Sequence, residues 1–321
     1  MCSGSCTNDV NSVYNYYTTR TFHERHGMID RARNGTHRAA PAGLTQTAGA
    51  RSLLVTVWGD TVRPRGGEIG AAALIRLMAP LGFSSRAVRA ALSRMTHHGW
   101  LRRRRAGRRA FYALTAAGAL RLEQGVRRVY GPAEPWDGRW RLFTYVIPEE
   151  RRAARDRLRR ELTWLGLAPL SRSTWATTRD LAGVLRQLIA ARGLDGTVAL
   201  FEARNLGPSD DRALVERCWN LDGIAARYRR FIATTRPRAA ALRRRAAAGT
   251  LSDDACFAEK IRLVHGYRKF LFVDPGLPDR LLPCQRPDRE AAALFRRIYG
   301  LLAPRADRFV ARVLDGASAG H

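Results

Sequence analysis

Lysine is almost absent from this 321-residue chain: of its 56 basic residues only Lys260 and Lys269 are lysines, and the other 54 are arginines. Acids are scarce as well, 28 in all, so the formal net charge is +28. An excess of that size points to a polyanionic partner. Genome composition can also enrich arginine, so where the charge lies matters more than its total. Cysteine is limited to Cys2, Cys6, Cys218, Cys256 and Cys284. These form no CxxC pair and no Cys/His set at zinc spacing, and their odd number speaks against a secreted disulfide framework. A reducing, cytoplasmic location is the expectation. Long apolar runs are missing too: stretches such as Leu53 to Trp58 fall far below the roughly 18 residues that span a bilayer. That argues against a membrane protein. No P-loop, no GxGxxG after a strand and no HExxH occurs. No catalytic residue, metal ligand or cofactor is therefore expected.

What is present divides into segments. Residues 1–49 are rich in Ser, Thr and Asn and show no helical or strand period. They read as a disordered tail, or as an overlong translation start with Met28 as an internal alternative. Periodic sequence begins at Ala50. An apolar helix over 51–58 is broken by Pro64, Gly66 and Gly67. A second helix spans 71–81, with Leu74, Leu77, Met78 and Leu81 at three- and four-residue spacing. After the Gly82-Phe83 turn, Ser84 or Ser85 caps a third helix to about His98, with Val88, Ala91, Leu92 and Met95 on one face. Two short strands, Trp100 to Arg105 and Arg109 to Leu114, flank a Gly-bearing turn, and Thr115 caps a helix towards Val129. Helix, helix-turn-helix and hairpin in that order describe a winged helix-turn-helix over residues 50–129.

A linker with Gly131, Pro132 and Pro135 leads to a second region, 136–205. Its order, strand, helix, two strands, helix, strand, is the βαββαβ of a ferredoxin-like domain. Its first strand, Arg141 to Ile147, is apolar on both faces and therefore central. Residues 209–321 read as a helical domain suited to binding an effector. Leu214, Cys218, Leu221, Ala225, Tyr228 and Ile232 form a seam at four- and three-residue spacing, and a Pro-rich stretch at 274–278 precedes a last pair of helices. The fold class expected is thus α+β and multidomain. Trp219, Tyr228, Phe231, Phe270 and Phe272 are expected in the core.

The positive charge is segregated. Between Glu68 and Glu123 the chain carries eleven arginines and no acid over 54 residues, whereas residues 250–321 hold twelve bases and nine acids. Duplex DNA is the natural partner of such a segment, because each neutralised phosphate releases counterions. Ser85, Arg86, Arg89, Ser93 and Arg94 lie on or beside the polar face of the third helix, where arginine can read guanine O6 and N7 in the major groove. Arg102, Arg103, Arg104, Arg105, Arg108 and Arg109 would grip the backbone or minor groove from the wing. A solvated arginine surface is the competing explanation. The disappearance of acids over the same stretch argues against it. The rival class is an enzyme, a nuclease or a protein acting on acyl-CoA through the central or C-terminal region. Its only local hint is His265 near Cys256 and Glu259.

The chain resembles the PaaX family of bacterial repressors of phenylacetic acid degradation. The resemblance runs from about Arg51 to Val313. It is carried by Arg51-Ser52-Leu53-Leu54-Val55-Thr56 with Gly59-Asp60 and Pro64-Arg65-Gly66-Gly67, and by Ser85-Arg86-Ala87-Val88-Arg89-Ala90-Ala91-Leu92-Ser93-Arg94-Met95. It continues in Trp164-Leu165-Gly166 and in Leu263 to Phe272 with Asp274-Pro275-Gly276-Leu277-Pro278. The resemblance implies the three domains above, a homodimer on an operator, and repression relieved by an aryl acyl-CoA thioester, typically phenylacetyl-CoA. For the phosphates and aryl group of such an effector, Arg229, His265, Tyr267 and Arg268 are the candidate contacts. The central domain also looks like the small CRISPR-adaptation nuclease subunit. There the first strand ends in a metal-binding aspartate; here the matching stretch is Thr144-Tyr145-Val146-Ile147, which puts a metal nuclease in doubt and makes region 136–205 a dimerisation or scaffold unit in this reading.

Overall fold

The protein is described from a computed structural model that covers residues 49–116, 118–119, 122–123, 135–284 and 286–318. Two compact units divide these residues. The first joins the chain up to Glu123 with Ala233–Arg268 and everything from Ala292 onward; the second holds the residues from Pro135 to Ile232 and Lys269–Ala291. The expected N-terminal tail lies outside the described residues, as does most of the expected helix from Thr115 towards Val129.

In the first unit, helix α1 (Ala50–Val57) is apolar enough to be buried from Leu53 to Val57, and a π-helical turn, Trp58–Val62, prolongs it with every residue buried. A short 3-10 turn at Arg63–Arg65 ends it at Gly66, whose φ of 94° a side chain would resist. Helix α2 (Ala71–Met78) buries Ala73, Leu74, Leu77 and Met78. It closes through Gly82 (φ 90°) into Ser84, whose Oγ accepts the Ala87 amide at 3.3 Å and so caps α3 (Ser85–His97). Val88, Ala91, Leu92 and Met95 form the buried stripe of α3, as the spacing predicts. The hairpin follows as β2 (Leu101–Ala106) and β3 (Arg109–Leu114). A strand absent from the sequence expectation, β1 (Glu68–Gly70), pairs antiparallel with β3 and gives a sheet of order β1-β3-β2. It is three residues long, too short to show an alternation.

The second unit carries the βαββαβ order: β4 (Trp140–Tyr145), α4 (Arg152–Leu165), β5 (Ala168–Pro169), β6 (Thr174–Thr177), α5 (Ala182–Arg192) and β7 (Val198–Ala203). All pairings are antiparallel and the sheet order is β5-β6-β4-β7, which places β4 centrally. Successive residues of β4 alternate between the two faces of the sheet. Trp140 and Ala176 pack with Val215, Trp219, Leu277 and Leu281 in one apolar cluster. Of the aromatics expected in the core, Trp219, Tyr228, Phe231 and Phe270 are buried, while Phe272 is only partly so. Phe270 stacks on Tyr228 at 3.8 Å.

The seam from Leu214 to Ile232 runs over two helices: α6 (Asp211–Cys218) stops at Trp219, which is extended, and Asn220 starts α7 (Leu221–Ala247) by accepting the Gly223 amide at 2.8 Å. The expected last pair of helices is one, α9 (Pro287–Ser318), which follows α8 (Asp253–Tyr267). Ile298, Leu302, Ala306 and Val310 are all buried on one stripe, and that continuous burial carries α9 through Pro304.

Candidate nucleic-acid interface

The sequence places Ser85, Arg86, Arg89, Ser93 and Arg94 on α3, and all five are exposed, opposite the buried stripe. No side chain of Arg86, Arg89 or Arg94 meets a carboxylate among the described residues. The helix therefore presents guanidinium groups whose donors are open to a ligand.

The hairpin supplies the second set. Its root is anchored, Leu101 and Ala113 being buried, while Arg102 through Arg109 are exposed. Direct pairing of Arg105 with Ala110 and Ala106 with Arg109 brings the strands to a tight turn at Gly107 (φ 57°), so the arginines at the tip stand beyond the packed body. Strand β2 is the sheet edge, and arginines on both of its faces also guard it against pairing with another strand. One member of the set is committed elsewhere. Arg104 holds Glu68 of β1 with Nη2 at 2.6 Å and Nε at 3.2 Å, and lies over the Phe111 ring at 4.9 Å. That hydrogen-bonded contact keeps the Glu68 carboxyl below its ordinary range. Arg104 thus clamps β1 to the hairpin through the cross-sheet pair.

The four candidate effector contacts are divided between the two units. Arg229 is exposed on the part of α7 that belongs to the second unit. His265, Tyr267 and Arg268 lie in the first unit at the end of α8 and just after it, and all three are buried. Arg268 donates through Nη2 to the Ser52 carbonyl (2.9 Å) and hydroxyl (2.7 Å), and through Nε to His265 Nδ1 (3.4 Å). Thr56 Oγ1 stands 3.1 Å from the same Nδ1. An arginine has only donors to offer, so His265 Nδ1 is the acceptor. Tyr267 stacks on Phe295 at 4.4 Å. His265 and Arg268 tie the end of α8 to α1, the first helix of the arginine-bearing head.

A second buried polar cluster, which sequence reasoning missed, makes the same connection farther along the two helices. Lys260 Nζ lies 2.8 Å from Asp60 Oδ2 and 3.6 Å from Asp307, with the Tyr299 ring 5.1 Å away; Tyr299 donates to Asp60 Oδ1 at 2.9 Å. Asp60 sits in the π-helical turn, where an extra residue per turn re-aims side chains. One signal was in the sequence: Lys260 is one of two lysines in a chain that otherwise uses arginine.

The nucleophilic pairing hinted at by Cys256 and His265 does not form. Both are on α8, nine residues apart, which a rise of about 1.5 Å per residue turns into about 13 Å. Burial raises the Cys256 thiol pKa, away from a reactive thiolate. Among the described residues no group of three or more His, Cys, Asp or Glu could hold a metal ion, and no helix is long and apolar enough to cross a membrane.

Three family models match the chain: the PaaX-like protein over residues 49–118, the PaaX protein central Cas2-like domain over 133–215 and the PaaX-like protein C-terminal domain over 219–312. The chain is 34% identical over 263 residues to the transcriptional repressor PaaX of Escherichia coli (strain K12), an overlap of 81% of this chain and 82% of that protein. Among solved structures it is similar to the uncharacterized protein Rv0674 from Mycobacterium tuberculosis. The TM-score is 0.51 at 24% identity, covering 83% of this chain and 99% of the other, a likeness of fold.

Proposed function

The chain belongs to the PaaX-like protein family, and on that premise we propose that it is a transcriptional repressor that seats a winged helix-turn-helix on operator DNA. In this reading α2 and α3 are the helix-turn-helix, β2–β3 is the wing, and the βαββαβ region is a ferredoxin-like dimerisation or scaffold unit. The observation that carries it is the exposed face of α3, where Arg86, Arg89 and Arg94 stand with no carboxylate among the described residues to neutralise them. They read base edges in the major groove with Ser85 and Ser93. Arg102, Arg103, Arg105, Arg108 and Arg109 hold phosphates or the minor groove from the wing. A homodimer places two such helices in successive major grooves, with half-sites about 10–10.5 bp apart or a multiple of that.

The effector is an aryl acyl-CoA such as phenylacetyl-CoA, and the genes controlled serve aromatic acid catabolism; no cofactor takes part. Release works only if the thioester binds the DNA-incompetent arrangement better than the competent one. Arg268 and His265 are suited to that role, because a ligand that competes for them loosens their hold on Ser52 and Thr56 of α1. Tyr267 packs beside them, and Arg229 is kept as a further contact.

The test is fluorescence anisotropy of the full chain on a fragment it selects from a random DNA library, with phenylacetyl-CoA titrated in. Release at micromolar thioester but not with free CoA supports the effector. Unchanged binding at saturating thioester removes the effector and leaves the DNA role standing.

A further inference from the structure

A second acid-free basic stretch lies outside the segment between Glu68 and Glu123. From Gly223 to Ser252 eight arginines occur in 30 residues with no acid among them, close to the nine that residues 80–109 of the head carry over the same length. Part of this stretch is the C-terminal half of α7, which belongs to the same compact unit as α3. There the arginines fall into two kinds. Arg238 is structural, its Nε 2.6 Å from Glu259. Arg243, Arg244 and Arg245, at the helix end, are exposed and reach no carboxylate among the described residues.

The surroundings add charge. Across the Gly249 turn, the carboxylate of Asp253 at the start of α8 is taken twice by α9, by Arg312 at 2.7 Å and Arg308 at 3.0 Å. Both arginines remain more than half exposed, at 60% and 57%. Arg305 of α9 donates through Nη1 to the Leu251 carbonyl in the same turn, which brings α9 against the stretch that follows α7. The other acid of the turn, Asp254, is engaged by Ser252 and the backbone at the α8 N-terminus. Two helices, α7 and α9, thus bring six arginines to the neighbourhood of a turn with two acids, both already used.

A favourable helix dipole does not account for the arrangement. It rewards cations within the last turn, but consecutive helical residues point about 100° apart, so one arginine would serve. Three in a row fan around the helix end instead, at a cost in mutual repulsion. Neither a lysine nor an aromatic ring lies between Ala239 and Ser252 to suggest stacking on bases. The guanidinium fork matches phosphate oxygens in bidentate fashion, a chemistry that grips backbone and ignores sequence.

We propose that Arg243, Arg244 and Arg245, with Arg308 and Arg312 beside them, form a second DNA-binding surface that takes the phosphodiester backbone flanking the base pairs read by α3. This rests on the proposed DNA-binding reading. The flank adds affinity and a steeper salt dependence and leaves sequence choice to α3.

The test uses the full chain and two duplexes built on the fragment it selects: the bare site, and the site extended by two helical turns on each side. The variants are R243Q/R244Q/R245Q, which keeps helix-forming side chains but removes charge, and R243K/R244K/R245K, which keeps charge. On the long duplex the Gln triple is expected to lower the slope of log K against log salt by about 2–3, since each neutralised phosphate contributes about 0.9 to it. Preference for selected over scrambled sequence stays as in wild type, the bare site shows no loss, and the Lys triple follows wild type. A Gln triple with the wild-type slope on the long duplex overturns the proposal, and so does a loss equally large on the bare site. Wild-type protein that fails to discriminate sequence overturns the DNA-reading assignment instead, and is told apart because it needs no variant. An unchanged melting temperature for the Lys triple shows that the helix end tolerates substitution.

Discussion

At the scale of single residues the protein uses arginine in two ways, and exposure together with partners separates them. Arg86 and Arg89 stand open on α3, whereas Arg104 and Arg238 are spent on Glu68 and Glu259. Replacing Arg86 and Arg89 with Ala should cost about 1–3 kcal/mol in discrimination for each base contact made, read as the affinity ratio between selected and scrambled duplex; a ratio that survives the double change removes α3 as the reading helix. Asp60 and Lys260 make a prediction about stability. Lys260→Met strands a buried carboxylate and should cost about 3–5 kcal/mol in urea unfolding. Adding Asp60→Asn should recover part of that loss, because the remaining groups no longer carry an unpaired charge. A double variant as unstable as the sum of the singles would mean that the two residues are not coupled.

Acid titration belongs to this scale too. Hydrogen bonds from Arg312 and Arg308 hold the Asp253 carboxyl below its ordinary value, and Arg286 and Arg289 do the same to Asp279. A depressed folded-state pKa stabilises above the unfolded value, near 3.9 for aspartate, and the contribution is lost as pH falls through the folded value. The gap in melting temperature between wild type and Asp253→Asn should therefore be constant from about pH 5 to 8 and close below about pH 4. A gap that instead closes between pH 6 and 8 would assign the stabilisation to another group.

Among the elements, those that announce themselves by period and cap were legible in the sequence. α3 shows this most plainly: its apolar stripe, its serine cap and its arginine face are all local, and the helix forms where they put it. The hairpin is equally local, set by Gly107. What escaped was non-local or overrode a local rule. Strand β1 exists because Ile69 and its neighbours pair with β3 some forty residues on. Asn220 breaks a helical period that the apolar residues alone would continue, and Pro304 fails to break α9 because burial outweighs the lost backbone bond. The Asp60–Lys260–Tyr299 cluster joins residues up to 239 positions apart, and no pattern within one sequence brings them together. For the hairpin itself, Arg105→Ala with Arg108→Ala should weaken binding to selected and scrambled DNA alike and lower the salt slope by about 1 for each phosphate that is no longer held. A weakening confined to the selected duplex would make the wing a reader of sequence.

Taken whole, the molecule does not keep its C-terminal helices apart from its arginine-bearing head: α8 and α9 share a compact unit with α1, α2 and α3, joined through Ser52, Thr56 and Asp60. A ligand acting on α8 would thereby be one hydrogen bond from the head, a short route for the effector release proposed above. The measurement that bears most directly on the account is equilibrium binding of the intact protein to its selected duplex and to a scrambled duplex of equal length, at near-physiological salt. The account predicts at least about a 1,000-fold preference for the selected duplex. Equal affinity for the two would contradict it.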